Sequence, residues 1–252
     1  MINTFWKQYE DLPPDAGYGR FSMEHWITLA VIAVLIVFAV RLFTRQDEER
    51  RGRIMKIIPI IMVCLEVFKD AFLIRGGHFG VGYLPLHLCS LGVFLFLLIA
   101  FCPSERWKAV FSEITVILIL PGSVAALLFP DWAHLYPVWN FMNLYGYAWH
   151  GLLVLYPALC LKQGLPSLSI RHIHYELIFL LLTAVPVCVF DRAFDCNYMF
   201  VNWPPAGTPL ELIARLTGEQ WYLAGYGLFS VCVIALIYLV IHCFRGGKNH
   251  DK

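Results

Sequence analysis

Seven apolar runs, near residues 23–43, 54–74, 84–102, 108–129, 139–161, 172–192 and 220–243, occupy most of this sequence. Crossing a hydrocarbon core of about 30 Å takes roughly 20 residues of helix. Inside lipid each backbone N–H and C=O must be satisfied within the protein, which restricts spanning segments of this length to helices. The expectation is an all-α polytopic membrane protein, a seven-transmembrane-helix bundle. Composition agrees: 59% of residues are hydrophobic and 15% charged, with a mean hydropathy of +0.65, whereas soluble domains are typically about 45–50% apolar. The seven runs leave no room for a separate soluble domain, so residues 1–252 are read as a single transmembrane domain. The first twenty residues are acidic, proline-bearing and aromatic, unlike a cleavable signal, and are read as part of the mature chain.

Lysine and arginine set the expected orientation, because short cytoplasmic loops carry their excess. The loop after the first run holds Arg41, Arg45, Arg50, Arg51, Arg53 and Lys56. With seven spans it shares a side with Arg106, Lys108, Lys162, Arg171, Arg245, Lys248 and Lys252, thirteen cations against Lys7, Arg20, Arg75, Arg192 and Arg215 opposite. The N-terminus is therefore expected out and the C-terminus in. A net charge of +1 gives no sign of a nucleic-acid partner.

On that topology most polar residues at membrane depth fall in the outer half: His25, Glu66, Lys69, Asp70, His87, Cys89, Asn140, Asn143, His150 and Asp191. Ionisable groups there are costly and face a bundle interior or a watery cavity, so a polar cavity open to the outer leaflet is expected. Glu66, Lys69 and Asp70 share one helical face, where Lys69 pairs with either neighbour; a purely structural ion cluster is the first reading, and contact with a lipid headgroup the second. His25, His78 and His134 lie near interfaces and are given no role, while His172 and His174 belong to the inner boundary.

Nine histidines and eight cysteines invite a metal site, but no close C-x-x-C or H-x-x-x-H pair occurs. No metal or other cofactor is expected. Seven of the eight cysteines read as packing residues. Cys188 and Cys196 are near enough in sequence for a disulfide, which the sequence leaves open. Cys89 differs. Pro85 fits the first turn of a helix, so the third span is expected to begin at about Leu84, with the thiol near unpaired amides at the positive end of the helix, a setting that favours a reactive thiolate.

A nucleophile needs a base. His87 and Cys89 would point apart if both were helical, about 200° of rotation separating them. His150, within "NLYGYAWHGLLVLYP", is the histidine well inside a span and the better candidate. Depth is the obstacle: eleven residues past Trp139 is roughly 16 Å of rise, against about 7 Å for Cys89 beyond Leu84.

The ordered set "LPLHLCSL", "PGSVAALLFPD", "NFMNLYGYAWHGLLVLYP" and "NYMFVNWPP", followed by a last span opening "WY", resembles the bacterial YwaF-like membrane protein family over residues 23–243. That family is similar to a vertebrate transmembrane acyltransferase that moves polyunsaturated acyl chains between phospholipids, and more distantly to androgen-induced hydrolases of fatty-acid esters. The resemblance implies a seven-helix enzyme with a cysteine on the third span and a histidine on the fifth, here Cys89 and His150, in a bacterial plasma membrane. The cysteine motif of the vertebrate enzyme reads differently from "LPLHLCS".

The combined expectation is acyl transfer between membrane phospholipids through an acyl-cysteine, His150 serving as base. His87, Asn197 and Tyr198 are candidate oxyanion or substrate contacts. The alternative is a transporter or lipid-binding protein whose cavity performs no chemistry. The sequence does not give the oligomeric state.

Overall fold

The computed structural model describes residues 2–246. Lys248 and Lys252 of the terminal basic group lie outside the described residues, and only the backbone of Arg245 is described. Among the described residues all regular structure is helical. In chain order the main helices are α1 (Met23–Thr44), α2 (Glu48–Gly76), α3 (Leu88–Phe101), α4 (Glu105–Leu128), α5 (Phe141–Gln163), α6 (Ile173–Phe194), α7 (Pro209–Thr217) and α8 (Tyr222–Gly246).

Among the described residues, five helical segments are long and apolar enough to cross a membrane: 23–44, 105–128, 141–163, 170–194 and 219–243. Two of the seven expected spans differ, each for a physical reason. The 29-residue α2 has the length, but any 18-residue stretch clear of its basic start contains Glu66, Lys69 and Asp70. With 14 residues, α3 rises only about 21 Å.

Local chemistry sets the helix ends. Ser22 accepts the His25 N–H to start α1, and Asp47 accepts the Arg50 N–H at 2.8 Å to start α2, each satisfying one of the orphan donors of a first turn. Gly77, at φ +75°, closes α2 in the left-handed region, where a Cβ is disfavoured. Asn140 caps α5 through the Met142 N–H at 2.8 Å, while its amide nitrogen donates to Thr4 O and Lys7 O and ties down the N-terminal segment.

The expected start of α3 at Leu84 is corrected to Leu88. Leu84 is extended at φ −64°, ψ 149°, as a residue before proline tends to be, and a 3₁₀ turn over Val81–Tyr83 precedes it. His87 becomes the N-cap and Cys89 the second helical residue. Within α4 a π turn over Thr115–Ile119 lies just ahead of Pro121; the proline has no N–H to complete the regular ladder, and the π turn is a single-turn bulge within the helix beside it.

The main core lies where α2, α3, α4 and α5 meet. Phe96 stacks on Tyr156 with ring centroids 4.1 Å apart, and the Tyr156 hydroxyl lies 3.2 Å from Met55 O and 3.1 Å from Phe96 O. Large apolar side chains on α1, α6 and α8, such as Val34, Leu182 and Leu228, remain exposed, as expected of helices that face hydrocarbon. The short amphipathic α7, absent from the sequence reading, sits between α6 and α8.

Candidate functional site

A cavity of about 260 Å³ opens between the starts of α3 and α5 and the end of α2. Its lining includes Cys89, Ser90 and His87 from α3 and its cap, His150 and Tyr145 from α5, and Glu66 and Lys69 from α2. The structure thus brings together five of the eight residues singled out in the sequence. With α3 starting four residues late, Cys89 and His150 both line this cavity despite the difference in helical rise expected from the sequence.

The two histidines are held in complementary states. His150 Nδ1 lies 2.8 Å from Gly146 O, four residues earlier on its own helix. A carbonyl only accepts, so Nδ1 carries the hydrogen and Nε2 is left as the basic nitrogen. Trp132 stacks on the imidazole, rings 4.9 Å apart at 12°. At Gly146 a Cβ would stand 2.7 Å from the Trp132 ring, so the glycine both supplies the carbonyl and lets the indole approach.

His87 is the reverse case. Its Nδ1 accepts the Met199 N–H at 3.3 Å, which leaves the hydrogen of the neutral ring on Nε2, a donor. Met199 is held at φ +53°, a left-handed conformation that costs about 1 kcal/mol for a non-glycine residue, and in it presents its N–H to His87. Because His87 is a cap and not a helical residue, the 200° argument against its sharing a site with Cys89 no longer applies. No side chain caps α3, whose ladder begins with Leu91 N–H to His87 O at 3.0 Å. The amides of Leu88, Cys89 and Ser90 precede that bond, beside the thiol.

The ion cluster forms one wall. Lys69 Nζ is 2.7 Å from Glu66 Oε1 and 3.0 Å from Asp70 Oδ1, and Tyr145 donates its hydroxyl hydrogen to Glu66 Oε2. Asp70 does not itself line the cavity. The other wall rests on the N-terminal segment: buried Gln8 donates to the Tyr83 hydroxyl at 2.6 Å and accepts from Tyr136. Burial pushes the Tyr83 phenol up to about 12, so it stays protonated at physiological pH.

Asn197 and Tyr198 do not line the cavity. Asn197 Oδ1 accepts the N–H groups of Asn202 and Trp203, and its amide nitrogen donates to Trp203 O at 2.8 Å. Tyr198 donates to Val81 O and packs its ring 4.8 Å from His87. Their polar groups hold the 195–203 loop against His87. Cys188 and Cys196 are both free thiols. His25, read as water-satisfied, is fully buried, with Nδ1 accepting from Phe21 N–H and Nε2 2.9 Å from Leu127 O. The sequence reading passed over Trp132 and Tyr145 as cavity residues, and over Glu113 and Glu176, two carboxyls buried inside apolar runs. A carboxyl within a span was signal enough for the last two.

No curated protein and no solved structure matches this chain. The model of one transmembrane protein family, the TMEM164 family, matches residues 20–239. That range takes in α1 through α7, most of α8, and every cavity residue named above except Gln8 of the supporting segment, and on it the chain is a membrane protein belonging to the TMEM164 family.

Proposed function

We propose that this chain is a lipid acyltransferase working through an acyl-cysteine on Cys89. The observation that carries the reading is that Cys89, a basic histidine nitrogen and a histidine N–H donor share one cavity. His150 Nε2 takes the proton from the Cys89 thiol, and Sγ attacks the carbonyl carbon of a phospholipid ester. The oxyanion is met by the His87 Nε2–H and the first-turn amides of α3. When the tetrahedral intermediate collapses the ester C–O bond breaks, and the leaving alkoxide recovers the proton from His150 as a lysolipid hydroxyl.

The second half runs in reverse. His150 takes the proton of an acceptor lipid's hydroxyl, whose oxygen attacks the thioester; the C–S bond breaks and the thiolate is reprotonated. Water in place of the lipid acceptor would make the same site a hydrolase. At about 260 Å³ the cavity is below the roughly 300–1,000 Å³ of drug-sized ligand pockets, so it encloses the reacting ester and leaves the acyl chains among the helices and lipid. Glu66 and Lys69 contact the headgroup, with Asp70 holding Lys69 in place.

The finer placement belongs to the same reading. Counting α2 and α3 as the two remaining membrane helices gives seven, with the N-terminus out, the cavity at the outer leaflet and a bacterial plasma membrane as the setting. The YwaF-like resemblance and the cation asymmetry support it. The test is the intact mass of purified protein after incubation with mixed phospholipids, with and without neutral hydroxylamine. A hydroxylamine-labile fatty-acyl adduct mapping to Cys89 and absent from Cys89→Ala is expected. No adduct on folded protein would move the reading to a binding or transport protein.

A further inference from the structure

Glu113 of α4 and Glu176 of α6 are both fully buried, and the Tyr238 hydroxyl of α8 stands 2.9 Å from Glu113 Oε1 and 2.9 Å from Glu176 Oε1. A phenol carries one hydrogen. Two ionised carboxylates would leave one of these contacts with no hydrogen in it, two oxygen lone pairs facing each other where water is excluded. We propose that Glu113 and Glu176 hold one proton between them through Tyr238, forming a proton-binding clamp at the end of the bundle opposite the cavity.

The surroundings say which carboxyl keeps the proton. Glu113 is a well-supplied acceptor: Ser169 N–H reaches Oε1 at 2.9 Å, and Ser167 Oγ and His172 Nδ1 reach Oε2 at 2.8 and 2.9 Å. These donors favour its ionised form. Glu176 has only Tyr238 on Oε1, and its buried Oε2 has no hydrogen-bond partner among the described residues. Glu176 therefore carries the hydrogen and donates it to Tyr238 Oη, which donates its own to Glu113.

The titratable groups facing Glu176 are Tyr238 from α8, Glu113 from α4 and, beyond Glu113, His172 from the turn before α6. The His172 side chain is 33% exposed, which makes it the exchange route between the clamp and water. The clamp joins α6 and α8 to α4. Losing its proton places a second anion against Tyr238 and loosens both helices. A group protonated when folded and ionised when unfolded makes stability fall as pH rises.

Infrared spectra of the protein in bilayers at neutral pH test this. A protonated-carboxyl C=O band should be present in the parent protein, be lost in Glu176→Gln, and shift in Tyr238→Phe. The thermal midpoint should fall from mildly acidic to mildly basic pH in the parent protein and lose that slope in Glu176→Gln, whose amide N–H reproduces the bond to Tyr238. Absence of the band from the parent protein, or a band indifferent to both substitutions, overturns the proposal. Neither readout depends on acyl transfer.

Discussion

In the proposed reaction His150 acts as a base only while Gly146 O holds its Nδ1 hydrogen, so the role proposed for one side chain rests on a backbone carbonyl one turn away. Replacing His150 by Ala should slow acyl-cysteine formation by about 10²–10⁴-fold, the usual range for loss of a positioned base, measured as adduct against time by intact mass. Gly146→Ala is the subtler change. Its new Cβ would meet the Trp132 ring at 2.7 Å, and overpacking of this kind costs about 1–3 kcal/mol. The expected outcome is a lowered thermal midpoint in detergent together with reduced adduct formation, because the displaced indole no longer stacks on His150. An unchanged midpoint would show that Trp132 moves freely.

Cys89 and His150, which line one cavity, were legible in the sequence as candidates because reactive groups stand out in apolar runs. His87, kept as an oxyanion or substrate contact, was set aside as the base on a helical angle that holds only if His87 is itself helical. Its partner, the Met199 N–H, lies 112 residues away, and only the fold brings the two together.

At the scale of elements, the starts of α3 and α5 decide the site. Apolar length places helices well, yet it does not report where the first turn begins. Leu84 and Leu86 are as apolar as the residues that follow, and the break comes from backbone conformation beside Pro85. The amphipathic α7 escaped notice for a related reason, having neither the length nor the apolar character of a span. The α5 start offers a clean test. Asn140→Ala removes the cap and takes the Asn140 donor from Thr4 O and Lys7 O, a loss of about 3 kcal/mol if the cap contributes about 1 and each abandoned carbonyl about 1. Asn140→Asp keeps the cap acceptor but loses the amide hydrogens. The Asp variant should keep α5 stable and free the N-terminal segment, seen as faster proteolysis at Lys7, whereas the Ala variant should lose both.

Across the whole molecule, two groups of buried polar residues stand toward opposite ends of the bundle, the cavity proposed for acyl transfer and the clamp proposed to hold one proton. The orientation proposed above puts the cavity outside and the clamp inside, and it rests on thirteen cations against five. It can be checked without any assay of activity. Single cysteines placed at Glu49, in the first turn of α2 beside Arg50 and Arg51, and at Thr208, just before α7, lie on opposite sides if all five helices between them cross, with Thr208 outside if the N-terminus faces out. Both positions lie outside the apolar core of the bundle. In intact cells a membrane-impermeant thiol reagent should label Thr208→Cys and leave Glu49→Cys unlabelled until the membrane is opened, in a background where all eight native cysteines, each a free thiol, are replaced by serine. The reverse pattern would invert the bundle and move the cavity to the inner leaflet. Labelling of both before opening would mean that an even number of crossings separates the two sites, so only one of α2 and α3 would span the membrane.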